Sequence, residues 1–370
     1  MNFSIAKDVL QSAISTVIKA VPTKSNLANS DCIMIDAGTD EVRLVANNSE
    51  MLIQYIAPAR VLEEGKICLD SKFFQDLVRK LPDEDINIIS DERYNLRFLC
   101  GESIDYEYNG KSADTFSDIP KFEIKDSFEL KELSLKELIR QTIFSISDNE
   151  SNKTLRGELF EIKNGVLRVV SLDGQRVSIR RIEINDKELN KKVIVPGRSL
   201  NDLFNIMGKE AEGEVTIHFT DNHMIAVFES TTFVTRLIEG EFFNVDNVIT
   251  KDYSTKIKIN KKDLYDGVDR STIIAREGDK KAIVFTVNED VMNIRMNSSS
   301  GKMNEKINIE KEGNDLKIGF NPKFLTDALK VIDDENIYLY MTSPKSPYFI
   351  RDDEDSYTYM ILPVNLSADA

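Results

Sequence analysis

Two segments recur three times each along this chain, in constant phase, and that periodicity narrows the possible folds more than any other feature. KDVLQSAI begins at Lys7, KELIRQTI at Lys136 and KDLYDGVD at Lys262. SKFFQDLVRKLPDEDINI begins at Ser71, RSLNDLFNIMGKEAEGEVTI at Arg198 and PKFLTDALKVIDDENIYL at Pro322. The first marker is spaced by 129 and 126 residues, the second by 127 and 124. Self-similarity at a fixed period means one structural unit used repeatedly, each copy burying its core with help from its neighbours. The 370 residues therefore divide into three like domains, at 1–123, 124–250 and 251–370.

Each repeat reads as two helices set among strands. In the first helix Val9, Leu10, Ala13, Ile14, Val17 and Ile18 form one apolar stripe, with Gln11, Ser12, Ser15, Thr16 and Lys19 opposite. The second stacks Phe73, Phe74, Leu77, Val78 and Leu81 against a polar side carrying Lys72, Arg79 and Lys80, and Pro82 stops it. Helices are expected over 6–21, 71–81, 134–147, 198–209, 260–276 and 322–332. Between them, runs such as EVRLVANN–EMLIQYIA and VLRVVSLDGQRVSIRRIE alternate with period two around turn residues, as antiparallel hairpins do. The fold class is α+β: three topologically similar domains, each with two helices packed on antiparallel sheets.

Little in the chain suggests catalysis. No GxxxxGK[ST], GxGxxG, GxSxG or HExxH occurs. The two histidines, His218 and His223, flank a turn at Asp221-Asn222 with no evident third ligand, so they read as surface or cross-strand residues rather than a metal site. Acidic residues number 63, enough that paired carboxylates arise everywhere by chance, and the DDED run at 352–355 reads as solvated loop charge. Neither a catalytic residue nor a cofactor is expected. Cys32, Cys68 and Cys100 form no CxxC and read as reduced, small core residues. No stretch approaches 18 apolar residues and MNFSIAKDVL lacks a signal-peptide core, so a cytoplasmic chain without a membrane span is expected.

The net charge of −15 argues against a simple basic DNA-binding domain, but it is unevenly spread. The six helix windows hold 15 Lys and Arg against 8 Asp and Glu. One reading is that Lys and Arg are good helix formers. The other is that all six helices share a surface that faces a polyanion, while the strands carry the acidic balance.

Three repeats of two helices, with the positive charge on the helices, resemble the bacterial DNA polymerase III beta subunit family, the sliding clamps. SKFFQD at 71–76 is similar to that family's [AS]KxFxD segment, and VVSLDGQRVS at 169–178 to its V[AS]TDGHRL[AS]. KIGFNPKFLTDAL at 317–329 resembles FNxxYLxDAL, and YMILPVNL at 359–366 resembles Y[VL]xMP[MV]RL. The sequence departs from the pattern at Ser25–Asn29, at Gln175 in place of His, across Phe242–Val248 where a proline and an arginine are missing, at Asn365, and in the overrun Ser367–Ala370.

The resemblance implies a head-to-tail dimeric ring that encircles duplex DNA without base specificity and gives a replicative polymerase its processivity. Implied partners are double-stranded DNA, a second copy of the chain, the clamp loader, and replicative and other polymerases. Mismatch-repair and ligase-type proteins complete the set, bound through short apolar peptides. By resemblance the peptide pocket takes Leu172, Gly174, Gln175, Arg176 and Val177 from the DGQR segment, and Phe243, Asn247 and Val248 from the segment that follows domain 2. Asn321, Phe324, Lys345 and Pro347 join them, with Met360, Leu362, Pro363 and Val364 near the end of the chain. The Leu and Val side chains would supply apolar walls and Arg176 donors to a peptide carbonyl or carboxylate. Such a pocket would favour acidic flanks less than the family norm, since Asn247 and Asn365 replace arginines. Lys19, Lys24, Arg79, Lys153, Arg198 and Lys323 would face DNA. Tyr106 and Tyr108 would meet Ile273 and Ile274 of the other copy, with Lys72 near acidic residues. A repeat-built protein-binding scaffold that never encircles DNA is the alternative, and a carboxylate enzyme a distant third.

Overall fold

The computed structural model describes residues 1–22, 31–114, 116, 122–149, 151–208, 212–274 and 282–366. Its six α-helices are α1 (Lys7–Val17), α2 (Ser71–Lys80), α3 (Glu132–Arg140), α4 (Gly197–Ile206), α5 (Lys261–Thr272) and α6 (Pro322–Val331), one for each occurrence of each repeated segment. Side-chain caps start several of them. Asp70 accepts from the Phe73 N–H ahead of α2, Asn260 from Lys262 and Asp263 ahead of α5, and Asn321 from Lys323 ahead of α6. The expected third helix is shorter than its window. The Thr142 hydroxyl donates to the Leu138 carbonyl at 2.6 Å, and the chain continues as a 3-10 turn over Ile143–Ser145.

The chain forms two compact units. One comprises Met1–Leu133 with Asp202–Leu237, the other Ser134–Asn201 with Ile238–Ala370, so two boundaries fall inside α3 and α4 and the third just after the strand Thr231–Arg236. The first unit holds two antiparallel sheets. Its five-stranded sheet runs Arg60–Glu63, Asn2–Ala6, Asp85–Ser90, Asn95–Cys100, Ile104–Asn109. Its eight-stranded sheet crosses from repeat to repeat where Thr231–Arg236 pairs with Met51–Pro58, Val234 opposite Leu52. The second unit repeats this plan. Its nine-stranded sheet has the same seam, Tyr357–Ile361 on Arg176–Glu183 with Met360 opposite Val177. Its four-stranded sheet runs Lys302–Asn308, Val291–Asn297, Ile283–Asn288, Leu316–Phe320.

Strand alternation sorts the side chains. Around Ile283–Asn288 and Thr255–Asn260, Phe285, Phe320, Leu325, Leu329 and Tyr348 form a core with no measurable exposure or nearly none. The three thiols are buried and unpaired, and burial pushes Cys32 up to about 11 and Cys68 up to about 12. His218 lies opposite Ile225 on its hairpin, and His223 sets its ring 5.3 Å from Phe122. Burial lowers both imidazoles, and among the described residues no group of three or more His, Cys, Asp or Glu is placed to hold a metal. No described helix is long and apolar enough to cross a membrane.

Counted over the helices as they fold, 12 Lys and Arg stand against 9 Asp and Glu, a smaller excess than the sequence windows gave. The difference lies at the ends. Lys19 falls in a 3-10 turn beyond α1, Lys209 and Arg276 lie outside the described residues, and α3 opens on Glu132.

One buried acid stands apart from this sorting. Glu158 is fully buried on Gly157–Lys163, and neither of its carboxyl oxygens has a hydrogen-bond partner among the described residues. Its neighbours there are uncharged: Thr142 beside the carboxyl and Val195 across the strand pair. Burial raises the carboxyl from 4.5 to about 8. The folded chain thus keeps a proton that the unfolded chain has lost, so this group's contribution to stability falls as pH rises from about 4.5 to about 8. Glu158→Gln should therefore gain on the parent across that window, by up to about 1.4 kcal/mol per pH unit, and keep its advantage above it. Urea denaturation at pH 5, 6.5 and 8 checks this; parallel pH profiles for the two chains would contradict it.

Candidate functional site

The second unit gathers the residues expected at the peptide pocket around one end of its nine-stranded sheet. On the face opposite the helices, Leu172 and Val177 join Leu159, Val170, Ile179, Tyr340, Phe349 and Met360 in one buried apolar cluster. The segment after residue 237 lies across this cluster, sending in Phe242 and Val245 with Val248 and Ile249 at its margin. Two arginines pin that segment. Arg168 donates to Asp246 at 2.7 Å and holds its carboxyl below the usual carboxylate range, and Arg351 donates to the carbonyls of Thr250 and Lys251, both at 3.0 Å. Asn244 caps the 3-10 turn Val245–Asn247 by accepting from the Asp246 N–H.

The rim is more open. Phe243 is 51% exposed and Leu362 39%, against 5% for Leu172, 4% for Val177 and 5% for Met360. Leu172, Val177 and Met360 are thus floor rather than free wall, while Phe243 and Leu362 stand clear of it. Gln175, Asn247 and Lys345 are exposed, and Val248, Phe324, Pro347, Pro363 and Val364 half-buried. The chain end is tied in by backbone bonds: Leu362 N–H to the Gln175 carbonyl at 2.9 Å and Val364 N–H to the Gly319 carbonyl at 2.8 Å. Leu366 then lies against Gly319, where any Cβ would meet its Cδ2 at 2.5 Å, so glycine permits this close approach. Gly174 takes φ +91° in the Asp173–Arg176 turn, a left-handed conformation that favours glycine.

Arg176 differs from the sequence expectation. Its side chain is 7% exposed and each of its three nitrogens is engaged: Nε to Asp173 at 2.9 Å, Nη1 to Asp327 at 2.8 Å and Nη2 to the Phe144 carbonyl at 2.6 Å. The guanidinium also lies over the Phe324 ring at 4.5 Å and the Phe144 ring at 5.4 Å. Period-two alternation explains this. Val177 and Ile179 enter the apolar cluster, so Arg176 and Ser178 take the opposite, helix-bearing face. Arg176 fastens the turn to α6 and to the segment after α3 rather than offering free donors to a ligand. Asn321, likewise, already spends its side-chain oxygen on capping α6.

The other expected residues are dispersed. Lys19, Arg79, Lys153, Arg198 and Lys323 are exposed, with Arg79 paired to Asp76 at 2.8 Å and Lys323 to Asp327 at 2.9 Å; Lys24 lies outside the described residues. Lys72 is exposed on α2. Tyr106 is 49% exposed and Ile273 80%, Ile274 is half-buried, and Tyr108 stacks on Phe73 with ring centroids 3.6 Å apart.

Comparison with known proteins follows this geometry over the whole chain. The N-terminal, central and C-terminal domain descriptions of the DNA polymerase III beta subunit match residues 1–120, 129–244 and 246–365. The chain belongs to the DNA polymerase III beta subunit family. It is accordingly a sliding clamp, a non-catalytic accessory subunit of a DNA polymerase, and this family membership favours the clamp over the scaffold reading. The beta sliding clamp of Staphylococcus epidermidis is 29% identical over 375 residues, covering 98% of this chain and 99% of that one. A crystal structure described as a DNA polymerase III beta subunit, from Eubacterium rectale, is 48% identical with a TM-score of 0.95, covering 99% of both chains. The Bacillus subtilis sliding clamp is 28% identical, also with a TM-score of 0.95, covering 99% of this chain and 100% of that one.

Sequence reasoning missed Phe242, Val245, Tyr340 and Phe349, which build the cluster, and the acids Asp173 and Asp327 that hold Arg176. Alternation along 166–183 carries the signal for Arg176, while nothing local distinguishes Phe242 from Phe243. Replacing Arg176 by Met should deprive Asp173 of its only guanidinium partner, leave Asp327 with Lys323 alone, and destabilise the chain by about 3 kcal/mol. The urea midpoint reads this out; a change within about 0.5 kcal/mol would mean that Arg176 is not a buried anchor.

Proposed function

We propose that two copies of this chain close head to tail into a ring around duplex DNA and tether partner proteins by short apolar peptides docked between Phe243 and Leu362. The observation that carries the ring is a pair of sheet edges with complementary charge. Among the described residues Ile104–Asn109 ends the five-stranded sheet without a further strand, and it bears Asp105 and Glu107. Lys302–Asn308 ends the four-stranded sheet the same way and bears Lys302 and Lys306 against one acid, Glu305. Open strand edges call for covering, and pairing one copy's acidic edge with the next copy's basic edge satisfies both at once. Each edge already holds a local ion pair, Arg97–Asp105 and Arg270–Glu305.

Beside the first edge lies a cavity of about 480 Å³, lined among others by Phe73, Leu77, Leu81, Ile104 and Tyr106. Ile273, protruding from the end of α5, is a fitting occupant when supplied by the neighbouring copy. Ile273→Ala with Ile274→Ala should shift the protein from dimer to monomer in sedimentation velocity. A dimer of unchanged affinity would refute this interface.

The DNA role needs only weak, sequence-independent contacts from Lys19, Arg79, Lys153, Arg198 and Lys323, because a closed ring retains its track by topology. The peptide site combines an apolar floor and an exposed apolar rim with few free charges, which suits a mostly apolar peptide and gives acidic flanks little to grip. A peptide of the QLxLF type should bind the parent, and Leu362→Glu should weaken it by about tenfold or more, measured by fluorescence anisotropy. Equal affinity for both chains would rule out this site.

A further inference from the structure

The Asp173–Arg176 turn at the peptide site is knit together by hydrogen bonds, and space is open at its tip, where a Cβ at Gly174 would meet nothing within 4 Å. Asp173 accepts from the N–H groups of Gln175 and Arg176 at 2.9 and 3.1 Å, and from Arg176 Nε at 2.9 Å. The Gln175 carbonyl in turn holds Leu362. Arg176 is steadied from α6 by Asp327, whose Oδ2 accepts Arg176 Nη1 at 2.8 Å. The same oxygen accepts Lys323 Nζ at 2.9 Å, and Lys323 is 70% exposed. Lys323, Asp327, Arg176, the turn and Leu362 thus form an unbroken series of polar contacts from the exposed face of α6 to the rim.

We infer that Asp327, which lies outside the apolar cluster, is a positioning residue for the peptide site, acting through Arg176, and that Lys323 weakens this hold by sharing the carboxylate. The inference deepens the peptide-site reading above and rests on it. With 7% and 18% exposure, Arg176 and Asp327 face each other largely out of water, where a lost charge is poorly replaced by solvent. Neutralising Asp327 leaves Nη1 with a weaker acceptor and lets the turn sample other shapes. Drawing Lys323 away, as an external phosphodiester would, returns the whole carboxylate to Arg176 and stiffens the turn. Anion binding on α6 and peptide binding at the rim are then mutually favourable, and the coupling is reciprocal.

The test uses the full chain as parent, Asp327→Asn, Asp327→Glu and Lys323→Gln, with two readouts: hydrogen exchange of segments 172–177 and 360–364, and titration with the QLxLF-type peptide. Asp327→Asn should speed exchange in both segments and weaken the peptide by about fivefold, with its thermal midpoint recorded alongside. Asp327→Glu, which keeps the charge, should recover most of the affinity. Lys323→Gln should slow exchange and tighten the peptide by about twofold. Unchanged exchange in Asp327→Asn overturns the positioning role, and Lys323→Gln that is neutral or loosening overturns the sharing. If the parent binds no peptide, the peptide-site reading fails, while the exchange data still decide whether Asp327 sets the turn.

Discussion

Strand pairing across the repeat boundary is the constraint on which the rest of this structure depends. The five- and four-stranded sheets each lie within one repeat, but the two larger sheets are completed only across a repeat boundary. The strand that closes the central repeat, Thr231–Arg236, pairs with Met51–Pro58 of the first, and the strand that closes the third, Tyr357–Ile361, pairs with Arg176–Glu183 of the central one. The central repeat is consequently divided between the two compact units, four of its strands in one sheet and four in the other. A sheet that runs through the boundary satisfies backbone groups that an isolated repeat would expose, and it leaves unpaired edges at defined places.

The two seams share a backbone and differ in chemistry. At the first, Asn48 accepts from the N–H groups of Glu50 and Met51, and Arg236 N–H bonds the Glu50 carbonyl at 2.8 Å. At the second, Asp173 accepts from Gln175 and Arg176, and Leu362 N–H bonds the Gln175 carbonyl at 2.9 Å. Corresponding positions then diverge: Asn47, Met51 and Arg236 at the first seam, Leu172, Arg176 and Leu362 at the second. An apolar rim arises at the second because Leu stands where the first has Arg. The buried ionic anchor arises there because Arg176 finds Asp173 and Asp327 on the helix-bearing face. One backbone plan thus yields a candidate docking site at one seam and a charged surface at the other.

Much of the fold was legible in the sequence because its signals are periodic. The repeated segments mark all six helices, and the hairpins Glu41–Asn47 with Met51–Pro58 and Val166–Leu172 with Arg176–Glu183 follow their alternation. Helix ends were less legible, since they depend on single contacts such as the Thr142 hydroxyl on Leu138. The candidate site was legible in part as a place in the fold. Motif matching identified Leu172, Val177 and Leu362, but which of Phe242 and Phe243 turns inward depends on the Asn244-capped turn and on Arg168 holding Asp246. The direction of Arg176 was available from strand parity, although its acid on α6 lies 151 residues away and no local rule joins them.

Charge follows the same economy. The excess on the helices is small, and Arg79 and Lys323 are engaged by Asp76 and Asp327 within their own helices. The Arg79–Asp76 pair is exposed, worth little and readily exchanged for phosphate contacts, whereas Lys323 meets a carboxylate only 18% exposed. A lining that gripped every phosphate would resist displacement along the duplex, because each step would break as many strong contacts as it made. A ring closed by strand edges needs no such grip. In the ring proposed above, affinity would reside in the closure between copies, mobility in the helix surface, and selectivity in the seam that carries an apolar rim.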